Sequence, residues 1–346
     1  GGMDNGTLST MMCNTTGNRN TAIGNSTLVK NTTADNNTAV GTLALYANTT
    51  GAKNSAFGVF ALENNTTGAE NVALGKDSLG ANTTGPNNTA VGTNSLRRNT
   101  EGEDNTAVGN LALCTNTTGD HNVAVGLSAL HKNTTADNNV AVGTCASGCN
   151  TDGHSNVSIG FSALCTNTTG DKNIAIGHQS LLSLATANEI VAIGYNSLRA
   201  LTTGTDNTAV GFEAGKSITT GDRNTAMGYL ALSTMTTVAD NTAVGYKAMT
   251  ANTSGSNNTA VGKDAMLANT TGANNVAIGQ NALETSTSGG ANTAVGQLAA
   301  QDLTTGAENT AIGHEAGNNI TTGTNNTLLG HEAGTDAVAN VVASNG

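Results

Sequence analysis

The chain has few of the residues from which globular enzymes build large cores. Its 346 residues include no Trp, four Phe, four Tyr and one Pro, so a core of bulky aromatic side chains is excluded. Charged residues make up 11% of the chain, which excludes disorder driven by charge. The 44 Gly residues fall well short of the roughly one-third that a collagen repeat requires. The interior must therefore consist mainly of Ala, Val, Ile, Leu and Gly.

Basic residues are also scarce, and no long apolar segment is present. The chain has 13 Lys and Arg against 24 Asp and Glu, which gives a net charge of −11. Because nucleic-acid binding requires clustered basic side chains, we predict no nucleic-acid partner. No apolar run reaches the roughly 18 residues typical of a membrane-spanning helix, and residues 1–19 lack the apolar segment of a signal peptide. The sequence therefore predicts no membrane insertion by this segment.

One period of 17 residues organises the chain. Glycine recurs at this spacing from Gly24 to Gly330, nineteen times without a slip. A typical repeat is residues 37–53, NTAVGTLALYANTTGAK; we number its positions 1 to 17 from the Asn, so that the invariant Gly is position 5. A fixed short period is typical of a solenoid. We expect three segments: an N-terminal partial coil or cap at residues 1–19, a nineteen-coil repeat at 20–334, and a C-terminal cap, linker or subunit joint at 335–346.

The positions of the repeat indicate strands rather than helices. Position 2 is β-branched except at Ser55, position 3 is almost always Ala, and position 4 is always apolar, so positions 1 to 4 predict a short strand. Glycine at positions 5 and 15 of most repeats would destabilise a helix. We therefore predict an all-β fold, a parallel β-roll or β-solenoid with 17-residue coils, in which equal positions form columns about 4.8 Å apart.

Residue types also predict which positions face inward. Positions 3, 4 and 8 are expected to be buried, because they hold only apolar or small residues. Of the 37 charged residues, 34 fall on positions 6, 7, 10, 11, 16 and 17, so those six positions are expected to face water and the other eleven to exclude charge. Position 1 is Asn in eighteen repeats, and position 12 is Asn in eleven but Leu, Ile or Met in six. This exchange predicts that the position-12 Asn lies inside and is hydrogen-bonded.

The segment N-T-A-V-G-x-x-A-L, as in residues 37–45, resembles the YadA-type head repeat of trimeric autotransporter adhesins and related repeats of phage and viral fibres. The resemblance covers residues 20–334, with an N-T-T-G segment at positions 12 to 15 added to the family's shorter unit. It implies a left-handed β-roll, a homotrimer about a threefold axis, and exposed columns that bind a host surface, matrix protein or glycan. It also implies an extracellular location, on a cell-surface appendage or a virion fibre.

The function expected from these features is that of a head or shaft of an extracellular adhesin or fibre. The main alternative is a structural filament or spacer subunit that assembles end to end, since the terminal coils of a β-solenoid leave unpaired strand groups. A third alternative is ice binding by the Thr columns at positions 13 and 14. This alternative is disfavoured because consecutive residues of a strand point to opposite faces, so the two columns would not form one flat surface. No catalytic set, phosphate loop or cofactor motif is recognisable, so we predict no enzymatic activity and no cofactor.

Two groups of side chains could carry site chemistry. His314 and His331 occupy equal positions of adjacent repeats, where stacked imidazoles could bind a metal ion; a solvated column repeated by duplication is the favoured interpretation, so we predict no metal site. Cys149 and Cys165 lie at neighbouring positions of adjacent coils, within disulfide range, and Cys145 with Cys149 is the rival pair. An extracellular location would permit either disulfide.

Glycosylation sequons are numerous because the repeat itself contains N-T-T. Those at position 12, such as Asn48 and Asn269, are predicted to point inward and to be structural. Sequons at position 17 lie on a turn that is expected to be exposed, so they are the better candidates for glycan attachment. These candidates are Asn36, Asn87, Asn257 and Asn325.

Overall fold

A computed structural model describes residues 10–335, and the chain divides into two compact units, Gly1–Asn173 and Ile174–Gly346. Each unit consists of parallel three-residue strands, one from every 17-residue coil, and residues 10–335 contain no helix. The predicted all-β class and parallel β-roll with 17-residue coils are therefore confirmed. Most of the predicted C-terminal cap and the first nine residues of the N-terminal cap lie outside the described residues.

The strands of each unit follow the repeat without interruption. The first unit contains β1 (Thr21–Ile23), β2 (Thr38–Val40), β3 (Ser55–Phe57), β4 (Val72–Leu74), β5 (Thr89–Val91), β6 (Thr106–Val108), β7 (Val123–Val125), β8 (Val140–Val142) and β9 (Val157–Ile159). The second unit contains β10 (Ile174–Ile176), β11 (Val191–Ile193), β12 (Thr208–Val210), β13 (Thr225–Met227), β14 (Thr242–Val244), β15 (Thr259–Val261), β16 (Val276–Ile278), β17 (Thr293–Val295), β18 (Thr310–Ile312) and β19 (Thr327–Leu329). Within each unit, neighbouring strands pair in parallel with a register of one repeat, as Thr38 pairs with Ser55 and Ala39 with Ala56.

The strands cover positions 2 to 4, and only the middle residue points into the coil. Ala39 and Ala56 at position 3 are completely buried, whereas Phe57 and Leu74 at position 4 are 40% and 49% exposed. The prediction that position 4 is buried is therefore wrong. Consecutive residues of a strand face opposite sides of a sheet, so an inward Ala at position 3 forces positions 2 and 4 outward.

Small residues and one leucine per coil form the core. Ala at positions 3 and 8 and Leu or Met at position 9 are fully buried in most coils, as in Ala44 and Leu45. The position-9 residue has a left-handed backbone, with φ of 49° at Leu45. Glycine occupies this position in three coils, at Gly215 (φ 58°), Gly317 (φ 65°) and Gly334 (φ 78°). The left-handed conformation is rare for a leucine. Here it turns the chain so that the leucine side chain points inward.

More positions of the coil face water than the six that the charge pattern predicts. Glu101 and Asp152 lie at position 14, outside the six positions expected to face water, and the structure leaves Glu101 exposed. The prediction that the other eleven positions exclude charge is therefore wrong at position 14. Position 14 follows the half-buried Thr of position 13 on an outer turn, where a carboxylate stays hydrated.

Candidate interaction surface

Asparagine at position 1, which only Ile190 interrupts, connects neighbouring coils. The backbone N–H of Asn54 donates to Oδ1 of Asn37 at 2.9 Å, and Nδ2 of Asn37 donates to the carbonyl of Gly51 at 3.0 Å. Both asparagines are fully buried. The same pair of bonds recurs along the column, so this amide serves the fold and is not presented to a ligand.

Asparagine at position 12 forms a second, internal ladder. In the first unit, Nδ2 of Asn82 donates to Oδ1 of Asn65 at 2.8 Å and to the carbonyl of Gly85 at 2.9 Å, and Nδ2 of Asn99 donates to Oδ1 of Asn82 at 2.8 Å. These side chains are fully buried, which confirms the prediction that position 12 points inward. In the second unit the same column is apolar and equally buried at Leu184, Leu201, Ile218, Met235 and Leu303.

The outward residues of the strands form a column of exposed apolar side chains on the surface. We call the position-4 side chains the strand-face strip. In the first unit the strip includes Ile23 (59% exposed), Phe57 (40%) and Leu74 (49%), and in the second it includes Met227 (41%) and Ile278 (41%). Because strand pairing places equal positions next to each other, the strip is continuous within each unit. Between residues 20 and 330, positions 2 and 4 hold no charged residue.

An aromatic ladder, which the sequence interpretation missed, runs beside the strip in the second unit. It consists of position-6 side chains from successive coils, and its ring centroids are 5.1 to 5.2 Å apart with planes inclined by 8 to 13°. We define the aromatic ladder as His178, Tyr195, Phe212, Tyr229 and Tyr246. The signal was present in the sequence, because five of the eight Phe and Tyr residues lie at position 6.

The predicted weak metal ligands do come together, but as a pair only. The rings of His314 and His331 are stacked with centroids 5.1 Å apart, and each imidazole lies beside the Glu that follows it, at 3.7 Å from Glu315 and 3.5 Å from Glu332. Residues 10–335 contain no group of three or more His, Cys, Asp or Glu side chains placed to bind a metal ion. The geometry is that of an exposed column of His and Glu pairs.

The cysteines at the candidate disulfide are neighbours with free thiols. All five cysteines are free in the structure, and the backbone N–H of Cys149 donates to the carbonyl of Cys165 at 3.0 Å. Burial raises the pKa of the Cys165 thiol, and the nearby Cys149 and Cys145 thiols raise it further. The Cys149–Cys165 disulfide and its rival Cys145–Cys149 stay predictions.

Thiol reactivity should follow burial in the folded protein. Burial raises the pKa of the Cys114 thiol, whereas Cys13 is exposed. Because the thiolate is the reactive form, we expect iodoacetamide at pH 8 to label Cys13 at least about tenfold faster than Cys114. Peptide mass spectrometry after timed quenching measures both rates, and labelling in denaturant is the control. Equal rates in the folded protein would contradict this expectation.

The four candidate glycosylation sites occupy exposed turns. Asn36, Asn87, Asn257 and Asn325 are outward-facing, with φ between 56° and 61°. The position-12 sequons Asn48 and Asn269 are completely buried. Glycan attachment therefore stays a prediction for position 17 only, since a buried amide cannot carry a bulky sugar.

Threonine hydroxyls at position 13 are used inside the fold. Oγ1 of Thr49 donates to the carbonyl of Thr66 at 3.0 Å, and Oγ1 of Thr66 donates to the carbonyl of Thr83 at 2.9 Å. The position-14 threonines, such as Thr67 and Thr84, are exposed, whereas most threonines at position 13 are half-buried. The exposed exceptions at position 13 are Thr15, Thr236, Thr253 and Thr321. The two columns therefore do not form one surface of free hydroxyls, and the bonding assigns position 13 to cohesion between coils.

The depressions in the surface are shallow and lined by charged side chains. One lies between Glu63, Asp77, Arg97 and Arg98 in the first unit. Burial raises the pKa of the Glu63 carboxyl, and the charge of Asp77 raises it further. Glu63 and Asp77 with two arginines form a patch of mixed charge.

The fold and the surface together define a β-solenoid repeat protein with an uncharged, outward strand face. A scan against protein-family models and a search of curated proteins found no match to this chain. Among residues 10–335, no helix is long and apolar enough to cross a bilayer.

Proposed function

We propose that this chain is a head or shaft segment of an extracellular adhesin-type fibre, in which copies of the β-roll associate side by side. The observation that carries the proposal is the strand-face strip. The resemblance to YadA-type repeats supports three copies about a threefold axis and a non-enzymatic role. Exposed residues of the other columns would then contact a host surface, matrix protein or glycan through many weak copies, which gives avidity without a pocket.

The extent of the strip is what favours association. Nine strands of the first unit and ten of the second each contribute one position-4 residue. At roughly 40 Å² of exposed apolar side chain per residue, each unit exposes on the order of 400 Å² in one continuous strip. A patch of about 300–600 Å² is the largest that a typical soluble monomer exposes, and such patches are commonly interaction sites.

Charge favours a second copy of this chain as the occupant of the strip. The chain has a net charge of −11, so two copies repel each other least where they meet through an uncharged face. The strip is such a face, since positions 2 and 4 hold only uncharged residues between residues 20 and 330. A second β-roll also has the matching axial spacing of about 4.8 Å between coils.

Charging the strip should dissociate the assembly without unfolding the coil. We expect Phe57→Lys combined with Leu74→Lys to weaken self-association at least about 100-fold, because two unpaired charges would be buried in the interface. Both residues face outward in the single chain and are 40% and 49% exposed, so a lysine at either position can keep its ammonium group in water while the coil stays folded. Sedimentation velocity over a concentration series measures the effect, with circular dichroism as the test of folding.

The matched control adds the same charge elsewhere on the same coils. Thr67→Lys combined with Thr84→Lys changes two exposed position-14 residues, and it should leave the assembly intact. A parent protein that is monomeric at all concentrations would refute the proposal. Assemblies that persist unchanged in the strip variant would favour the end-to-end filament instead.

A further inference from the structure

We propose that the aromatic ladder of the second unit is a docking surface for a second copy of this chain, and that it sets the axial register between the two copies. The inference rests on the proposed lateral association and goes beyond it, because the strip alone does not choose a register. The members are stacked through their faces at 5.1 to 5.2 Å. These residues nevertheless remain exposed, by 45% at Tyr195, 42% at Phe212 and Tyr229, and 44% at Tyr246.

The ladder adjoins the strip in every coil that carries it. Position 6 is separated from position 4 by the invariant Gly alone, and Cα atoms two residues apart are at most about 7 Å from each other. A copy that covers Val210 of the strip would therefore also reach Phe212. The ladder contributes on the order of 300 Å² of exposed aromatic surface. With the strip of the same unit, this approaches the roughly 800 Å² per partner of a standard interface.

The strip repeats itself too closely to specify one alignment of two copies. Its residues are Val, Ile, Leu, Met or Phe in every coil, so sliding one copy by a coil exchanges similar contacts. Uniform strands specify register weakly for the same reason. A second copy that meets the strip needs another feature to hold it at one height.

The aromatic ladder is the feature that breaks this uniformity. In the second unit, position 6 is aromatic from His178 to Tyr246 and then changes to Lys263, Gln280 and Gln297. A slip of one coil would move one end of the aromatic block of one copy onto Lys263 or its neighbours. Each aromatic pair that such a slip separates should disfavour the slipped alignment by about threefold to tenfold.

Charge again selects a second copy as the occupant. The ladder residues from Tyr195 to Tyr246 carry no charge. Because a second copy has the same net charge of −11, it approaches most easily where the contact contains no carboxylates. The cation–π contact of Lys247 with Tyr246, at 5.4 Å from nitrogen to ring centroid, places a positive charge at the end of the block. That ammonium offsets part of the repulsion between two copies of the same negative net charge.

Photo-cross-linking can read the register with a resolution of one coil. Benzoylphenylalanine is incorporated in place of Gln280, at position 6 beyond the ladder, and chains labelled with heavy nitrogen are mixed with unlabelled chains to identify cross-links between copies. Each coil has its own sequence, so peptide mass spectrometry identifies the coil that was reached. In the parent chain, we expect cross-links between copies to concentrate on one coil.

Removing the ladder should spread the cross-links over several coils. The variant combines Tyr195→Thr, Phe212→Thr, Tyr229→Thr and Tyr246→Thr; Thr42, Thr93 and Thr144 show that position 6 accepts threonine. We expect at least three coils to be reached. The single change Phe212→Thr, which divides the ladder, gives a milder variant with an intermediate spread. The control Val59→Thr with Leu127→Thr removes position-6 apolar residues of the first unit and should leave one coil preferred.

Two negative results separate this inference from the proposed function. If the four-residue variant is folded and assembled but its cross-links still concentrate on one coil, the register role of the ladder is refuted and lateral association stands. If the parent chain gives no cross-links between copies and sediments as a monomer, lateral association is refuted and the register role with it.

Discussion

Gly75→Ala is expected to destabilise its coil by about 3–5 kcal/mol, because it adds a side chain where neither the backbone nor the space permits one. Gly75 has a φ of 143°, a backbone conformation that residues other than glycine rarely adopt. A Cβ atom there would lie 2.6 Å from the carbonyl carbon and oxygen of Gly92 in the next coil. Both neighbours are backbone atoms of a paired coil, so they cannot move aside without breaking the ladder of hydrogen bonds.

The same coil contains a glycine that provides the control. Gly80 at position 10 has no left-handed φ, and an added Cβ would be 3.4 Å from the nearest atom, the carbonyl oxygen of Asp77. We therefore expect Gly80→Ala to change the stability by less than about 1 kcal/mol. Hydrogen exchange followed by mass spectrometry reports the two effects locally, which suits a stack whose coils can open separately. Equal protection in both variants would refute the proposed role of the position-5 corner.

The strict period explains why the fold could be predicted from the sequence. Glycine at position 5 and the small residue at position 8 recur in every coil, so each environment is sampled many times within one chain. The structure confirms the short parallel strands and the buried position-12 asparagines. These features depend on local sterics and on satisfied hydrogen bonds, which a repeated residue type reveals directly.

The error at position 4 arose because residue type was equated with burial. Position 4 is apolar in every coil, yet Ile23 and Leu74 are exposed, because strand alternation decides the direction of a side chain before its hydrophobicity does. A lateral partner would explain an apolar column that faces outward. The repeat pattern alone does not distinguish residues buried inside the coil from residues that a partner would cover. The left-handed Leu45 and its equivalents were equally hidden, since leucine is seldom chosen for that conformation.

The candidate surface was predicted only in part for a related reason. The histidine and cysteine pairs were recognised because they are chemically distinctive, and the structure does place His314 beside His331 and Cys149 beside Cys165. Tyr195 and Phe212 were overlooked as members of a column, because single aromatic residues are common on surfaces. Their significance is in the stacking across coils, which requires the register of the strands to be known.

Asn82→Ala is expected to destabilise the first unit by about 2–4 kcal/mol, through a buried cavity and an unpaired acceptor. The substitution removes the donor to Oδ1 of Asn65, so that this oxygen would be buried without a partner. It also removes the oxygen that accepts from Nδ2 of Asn99. The second unit shows such an end of the ladder. Where Ser286 follows Asn269, the Asn269 Oδ1 is buried and unbonded.

Reciprocal changes distinguish the ladder from a simple requirement for volume. Asn82→Leu restores volume but still leaves the Asn65 oxygen unpaired, whereas Leu201→Asn places an amide between the apolar Leu184 and Ile218. Both should therefore cost about 1–3 kcal/mol despite the fact that each residue is native to position 12 elsewhere. The exposed Thr84→Ala in the same coil should change the stability by less than about 0.5 kcal/mol.

A double-mutant cycle isolates the contribution of the bond between coils. The effects of Asn65→Ala and Asn82→Ala on the free energy of unfolding should be coupled by about 1–2 kcal/mol. Either substitution alone removes the bond between the two amides, so the second one has no such bond left to remove. Asn82→Ala with Asn133→Ala, which belong to coils three repeats apart, should be additive within about 0.5 kcal/mol. Chemical denaturation of single, double and parent chains measures both cycles. Additivity in the adjacent pair would mean that the asparagines only fill space, and that the amide chain contributes nothing to the cohesion of the coils.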